Sequence, residues 1–314
     1  MTRHYDVLVA GSYFCDMVFT GLPEVPQLGR DIFSQGFAIV PGGSYYIVLA
    51  LHRLQMQVGW MGHVGTDLFS RFIEDAAAGE GIDTQLFQRH DRPVRRVAAS
   101  FSFADDRGFV SYIDELDETI PLDVVVAAQP RCVLLHGLHL WNQVESLHRL
   151  PNRRDFTLVL DCQDPQYTLE SPGVADALGK VDVFVPNDSE ACALTGEVSV
   201  ERAMARLAEI VPLVIVKCGK RGALAQHGDD VEHVPGIKVT VHDTTGAGDC
   251  FNAGFMFGYL RGAALEDCLR YANVTGGLST TAPGAQAVPS LAQLEAMVAD
   301  YASYVNVPAE DGTP

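Results

Sequence analysis

Short apolar runs alternate with segments of helical period through the second half of the chain. The runs at 132–136, 156–161, 181–185 and 213–217 carry few polar residues, as strands buried on both faces must. Segments 142–149, 172–179, 188–195 and 200–209 instead space their apolar residues as helices do. This alternation predicts a parallel sheet covered by helices on both faces. The first half opens in the same way, with a strand at Val7–Ala10, a helix at Ser44–Leu54, a strand at Val58–Met61 and a helix at Thr66–Ala78 capped by Thr66. Two stretches break the alternation. Residues 13–40, with Gly21, Pro23, Pro26 and Gly29, read as strand pieces at 14–20 and 31–40. Val97–Phe103 and Phe109–Ile113 read as a hairpin around a turn at 104–108. These pieces predict a small second sheet, apart from the main one, whose faces must cover a cleft or another subunit. A hairpin at 222–227 and 230–234 and helices at 248–261, 264–281 and 290–304 complete the chain, with 307–314 as a flexible tail.

Composition narrows the class. The 314 residues are 47% hydrophobic, enough for one large α/β domain, here expected to span 1–306 with a lid formed by about 13–40 and 95–114. A net charge of -18 argues against a nucleic-acid partner or an anionic membrane surface. No apolar run approaches the roughly 18 residues of a membrane span. The N-terminus lacks a signal-peptide layout. Seven scattered Cys without a Cys-x-x-Cys pair read as reduced thiols, so a cytoplasmic protein is expected. Cys250 reads as a packing residue.

The most informative segment is Asp243-Thr244-Thr245-Gly246-Ala247-Gly248-Asp249, which runs into an apolar helix. A helix start leaves backbone N–H groups unpaired and carries the positive end of the dipole, so it attracts an anion such as phosphate. Asp249 repels phosphate, which makes sense if it orients or deprotonates a hydroxyl that attacks a bound phosphoryl group. The plainer reading is that Asp249 caps the helix. Four other segments follow strands: Gly11-Ser12 with Asp16 beyond it, Pro41-Gly42-Gly43, Asn187-Asp188-Ser189-Glu190, and Lys217-Cys218-Gly219-Lys220-Arg221-Gly222. Ligands of open α/β sheets gather at such strand ends.

These segments, together with Gly62-His63-Val64-Gly65-Thr66-Asp67 and Asn252-Ala253-Gly254, resemble the ribokinase, or PfkB, family of small-molecule kinases over about residues 5–305. The resemblance implies a three-layer α/β/α sandwich with a mainly parallel central sheet and a small β-sheet lid. It implies ATP-dependent phosphorylation of a sugar or polyol hydroxyl. Asp249 matches the catalytic base, and the amides of Gly246, Ala247 and Gly248 match the anion hole. Asp16, Gly42 and Gly43 match acceptor-binding positions, to which Tyr46 and the lid aromatic Phe101 are added. Asn187, Lys217, Gly219, Gly222, Thr244 and Asn273 match the nucleotide side. Glu190 matches a Mg²⁺ ligand acting through water, and Asp243, Thr245 and Gly284 match a loop that holds a monovalent cation such as K⁺ in some members. Lids of this kind often pair into homodimers.

Departures leave the acceptor open. Ile47 stands where the family usually has an Asn that bonds a sugar hydroxyl. Asp161-Cys162-Gln163-Asp164-Pro165 lacks the Arg of the corresponding sugar-kinase motif, which argues against a phosphorylated sugar. His139 faces either the substrate or the core. A nucleoside kinase of the same fold, with Phe14, Tyr45, Tyr46 and Phe101 stacking a base, and a non-catalytic ligand-binding regulator are the alternatives. A Rossmann dehydrogenase lacks support, because the Gly-rich turn opens no early βαβ unit and misses the third glycine.

Overall fold

The computed structural model describes residues 5–103, 107–163 and 166–305. Its strands are β1 (Val7–Ala10), β2 (Tyr13–Thr20), β3 (Gly36–Gly43), β4 (Val58–Met61), β5 (His63–Val64), β6 (Gln88–Arg89), β7 (Arg96–Ser102), β8 (Arg107–Ile113), β9 (Cys132–Leu135), β10 (Thr157–Asp161), β11 (Val183–Val185), β12 (Leu213–Lys217), β13 (Ala223–His227) and β14 (Asp230–Val234). The α-helices are α1 (Tyr45–Arg53), α2 (Leu68–Glu80), α3 (Leu122–Ala128), α4 (Val144–His148), α5 (Val174–Leu178), α6 (Asp188–Thr195), α7 (Val200–Ala208), α8 (Ala247–Leu260), α9 (Leu265–Ser279), α10 (Leu291–Ala299) and α11 (Tyr301–Tyr304).

The central sheet has eight strands in the order β14-β13-β12-β11-β10-β9-β1-β4. All its pairings are parallel except the two made by the β13–β14 hairpin. Successive side chains of a strand enter opposite cores. Val7 and Val9 join Phe255 and Phe257 of α8 on one face, and Leu8 and Ala10 join Val144, Leu178 and Leu207 on the other. The result is the expected three-layer α/β/α sandwich. Every Cys is a free thiol, six of them buried and Cys192 half-buried. Among the described residues no helix is long and apolar enough to cross a membrane.

The residues that broke the alternation form a separate four-stranded sheet, ordered β3-β2-β7-β8. It leaves the main sheet at the Gly11-Ser12 corner and returns through Gly42-Gly43 into α1. The third strand lies later than the expected 31–40, because Gly42 and Gly43 still pair with Phe14 and Tyr13. The register puts Asp16, Val40 and Ala98 on one face and Phe19, Phe37 and Phe101 on the other. Helix α3 was not anticipated, since Val124-Val125-Val126 lacks helical spacing; the short β5–β6 pair was missed as well. The final helix breaks at Asp300 into α10 and α11. Residues 104–106 of the hairpin turn, the tail at 307–314 and the pair Asp164-Pro165 lie outside the described residues.

The cap of α2 is Asp67, not Thr66. Its Oδ1 accepts from the amides of Phe69 and Ser70, while Oδ2 accepts from the Ser70 hydroxyl and the Val94 amide. One carboxylate thus closes the helix and ties it to the segment that leads into β7. Asp67→Ala should cost about 2 kcal/mol in urea denaturation, at the upper end of cap losses. Thr66→Ala, at an exposed position, should stay within about 0.5 kcal/mol.

Candidate active site

The turn before α8 is set by Gly246. Its φ of 72° is left-handed, and a Cβ there would stand 2.2 Å from the ring of Tyr46. Glycine is therefore required twice over, by conformation and by space. The turn aims the first amides of α8 at a cleft. Ala247 N–H is already used, donating to the Thr244 carbonyl at 3.2 Å. Gly246 and Gly248 keep their amides without a hydrogen bond among the described residues. Lys217 Nζ lies 3.6 Å from the point where a Gly248 Cβ would sit, so the glycine keeps the space beside that ammonium clear.

Asp249 lies in the first turn of α8, its side chain 13% exposed. His136, buried at the end of β9, places Nε2 2.6 Å from Asp249 Oδ1. The Gln163 amide nitrogen is 3.3 Å from the same oxygen and 2.7 Å from His136 Nε2. Gln163 holds this place with φ at 49°, a strained value for a non-glycine residue. Both contacts fall on Oδ1, so Oδ2 carries none among the described residues. Behind them, Lys217 Nζ donates to Asp161 Oδ1 at 2.8 Å. One donor atom each of His136, Asp161 and Asp249 falls within 4.8 Å of the others.

The charges hold one another in place. Burial opposes ionisation of His136, but the Asp249 carboxylate outweighs it and raises the imidazole pKa. Burial likewise disfavours charged Lys217, yet Asp161 and Glu190 hold its pKa up. Asp161 stays below the usual carboxylate range because Lys217 and His136 overcome its burial. Asp16 differs. Burial, then Asp243 and Asp249, push its carboxyl up to about 6. It lies against Gly42, where an added Cβ would come within 2.2 Å of Asp16 Oδ2.

Three cavities adjoin here. A lid-side cavity of ≈ 880 Å³ touches Ser12, Phe14, Gly43, His136, His139 and Gln163. A loop cavity of ≈ 380 Å³ is bounded by Asn187, Glu190, Lys217, Gly246, Gly248 and Asp249. A third of ≈ 530 Å³ runs between α8 and α9 past Gly219, Gly222, Thr244, Phe251 and Asn273. Gln163 is common to the first two, and Lys217, Gly219 and Gly248 to the second and third.

The model of the pfkB family of carbohydrate kinases matches residues 34–292. The chain belongs to the pfkB carbohydrate kinase family. It is 27% identical to a ribokinase of Lactococcus lactis over 310 residues, covering 92% of this chain and 96% of the relative. It is also 27% identical to a 2-dehydro-3-deoxygluconokinase of Bacillus subtilis, over 85% of this chain and 86% of that one. The solved structure of Arabidopsis thaliana ribokinase with ribose and ATP superposes with a TM-score of 0.81 at 21% identity, over 94% of this chain and 99% of that chain.

In this pfkB-family kinase, Tyr46 and Phe101 stand elsewhere than the sequence suggested, while Asn273, Asn187 and Glu190 line cavities and also carry structural hydrogen bonds. Tyr46 is 1% exposed, and its ring supports Gly246 from below rather than lining the lid-side cavity. Phe101 stacks on Phe19 at 5.6 Å, on the lid face away from Asp16. Asn273 is buried, and its amide donates to the Val234 and Pro235 carbonyls and to Tyr301 Oη. Asn187 and Glu190 form a capping box on α6 and also face the loop cavity. Asp243 accepts from Thr245 and Gly284 amides, tying the two ends of its loop. The sequence did not reveal Asp161, His136 and Gln163 as partners of Lys217 and Asp249. They ended strands or followed them, the one signal available.

The raised Asp16 carboxyl has a definite sign. Its folded pKa exceeds the ordinary value of 3.8, so charging it opposes the fold increasingly as pH rises from about 4 through about 6. Asp16→Asn should therefore stabilise the protein at pH 8 by on the order of 3 kcal/mol, and by almost nothing near pH 4. Urea titrations at the two pH values measure this.

Proposed function

We propose that this carbohydrate kinase moves the terminal phosphoryl group of ATP to a hydroxyl of a small sugar or polyol, with Asp249 as general base. The observation that carries this reading is the position of Asp249, one carboxylate at a helix start on the wall of the loop cavity, with Oδ1 fixed by His136, which lines the lid-side cavity, and Oδ2 open.

The nucleoside of ATP fits the cavity between α8 and α9, where Ile237, Val239 and Phe251 offer apolar surface and Gly219, Gly222, Thr244 and Asn273 stand at the walls. Its phosphates reach the loop cavity, toward the Gly246 and Gly248 amides and the Lys217 ammonium. The acceptor occupies the lid-side cavity, near Asp16 and the Gly42-Gly43 backbone. The acceptor oxygen bonds to the γ-phosphorus as the bond from that phosphorus to the bridging oxygen breaks, releasing ADP. The acceptor proton passes to Asp249. Amides and a buried ammonium aimed at the transferring group favour the charge that develops there. Closure of the lid excludes water, which would otherwise take the phosphoryl group.

Mg²⁺ fits the loop cavity as a hydrated ion, since it keeps several waters and needs few carboxylates, and Glu190 with Asn187 would hold those waters. When bound, it neutralises phosphate charge. The Asp243, Thr245 and Gly284 loop suits a monovalent cation such as K⁺. The buried Tyr46 hydroxyl close to Gly284 has no hydrogen bond among the described residues and adds an oxygen there. Asp249→Asn should cut turnover by on the order of 10²-fold or more while leaving ATP affinity within about threefold. Coupled ADP release and calorimetry decide it; near-normal turnover defeats the assignment.

A homodimer through the lid is part of the same reading. Phe37, Ile39, Val110 and Tyr112 are all exposed on the lid face opposite Asp16, an apolar patch that a second lid would cover. Val110→Glu should convert a dimer to a monomer in sedimentation velocity. A wild-type chain that sediments as a monomer at micromolar concentration excludes the pairing.

A further inference from the structure

Two of the basic side chains along the lid-side cavity, Arg96 and His139, lean on one carboxylate; a third, Arg92, is exposed and donates to the Glu115 carbonyl at 2.8 Å. Arg96, on β7, has a side chain only 5% exposed. Its Nη2 donates to Glu118 Oε1, and Ser12 Oγ donates to the same oxygen at 2.6 Å. His139 Nε2 stands 3.6 Å from Glu118 Oε2. Glu118 closes the acidic run Asp114-Glu115-Leu116-Asp117-Glu118. Resting on the kinase reading above, we infer that the acceptor is an uncharged sugar or polyol, and that Glu118 determines this specificity by occupying Arg96 and His139.

The physical reason is competition for a buried guanidinium. A free Arg fork in an acceptor pocket is a bidentate receptor for a carboxylate or phosphate. Here Nη2 of that fork is already taken from inside the protein by Glu118, while Nε is buried without a hydrogen bond among the described residues. An anionic acceptor would have to displace Glu118, leaving a half-buried carboxylate without its partner, which is costly. It would also meet Asp114, Glu115 and Asp117, which line the same cavity. Glu118 does not yield by protonation. Although burial works against its charge, His139, Arg96 and Ser12 hold its carboxyl down to about 2. A neutral polyol meets none of these penalties. Its hydroxyls can donate to Asp16 and Glu118 and accept from His139 without unmaking a pair. Glu118 acts on the acceptor's charge and takes no part in moving the phosphoryl group.

The test compares wild type with Glu118→Gln on two neutral probes, D-ribose and D-fructose, and two anionic ones, D-gluconate and D-ribose 5-phosphate. Calorimetry gives binding, and ADP release with MgATP gives kcat/KM. The wild type should favour the better neutral probe over either anion by about 100-fold or more. Glu118→Gln keeps the shape and frees the guanidinium, so the ratio should narrow at least about tenfold through a gain on an anion. Should that variant fold poorly, Arg96→Gln serves instead; it leaves the carboxylate and removes the cation, so the preference should widen. A wild type that prefers an anion, or a ratio unmoved within about twofold by these changes, overturns the inference and leaves the kinase reading standing. ADP release stimulated by no probe, with neutral probes still binding better than anions, defeats the kinase reading alone. Failure of every probe to bind overturns both.

Discussion

The site depends on the contact between Gly246 and the Tyr46 ring. A side chain at 246 would collide with that ring, and the left-handed backbone suits glycine alone. The contact fixes where α8 begins, and so where the amides of Gly246 and Gly248 and the carboxylate of Asp249 point. Tyr46 is itself locked, being the second residue of a helix whose first seven residues are all buried. The turn therefore rests on the densest part of the core.

Local charge order is what would let so acidic a chain accept the nucleotide proposed for it. With a formal charge of -18 the protein as a whole repels a nucleotide. Around α8 the balance is rearranged by a relay of pairs, Lys217 with Asp161 and His136 with Asp249. Each buried ion is offset by its neighbour, as low-dielectric surroundings demand. The loop cavity thus carries an ammonium and amides unpaired among the described residues, beside four carboxylates of which Asp161 is held by Lys217 and Asp249 by His136.

Much of this was legible in the sequence because it is local. Strands β1 and β4 coincide with their apolar runs, since a doubly buried strand has no other way to be written. The separate lid sheet announced itself by interrupting a regular alternation. Asp249 and Asp16 were legible as carboxylates out of place in glycine-rich or apolar surroundings. What escaped depends on pairing at long range. The face on which Phe101 lies follows from the β2–β7 register, which no single strand encodes. Asp249 and His136 are 113 residues apart in the chain, and Lys217 and Asp161 are 56 apart. Tyr46 looked like an acceptor contact because tyrosine suits surfaces as well as cores; packing alone decides that it is buried. The α2 cap fell one residue late because Asp67 outcompetes Thr66 by offering two oxygens to four donors.

Strand β3 ends at Gly43 and helix α1 starts at Tyr45, so the lid's edge strand and the ring beneath the Gly246 turn are three peptide bonds apart. So short a span has no slack. A tug on the lid is transmitted along it as through a stiff lever, and the far end of that lever is Tyr46. Loosening that sheet would consequently blur the aim of α8, so the orientation of the Asp249 turn depends on strands that stand outside the main sheet.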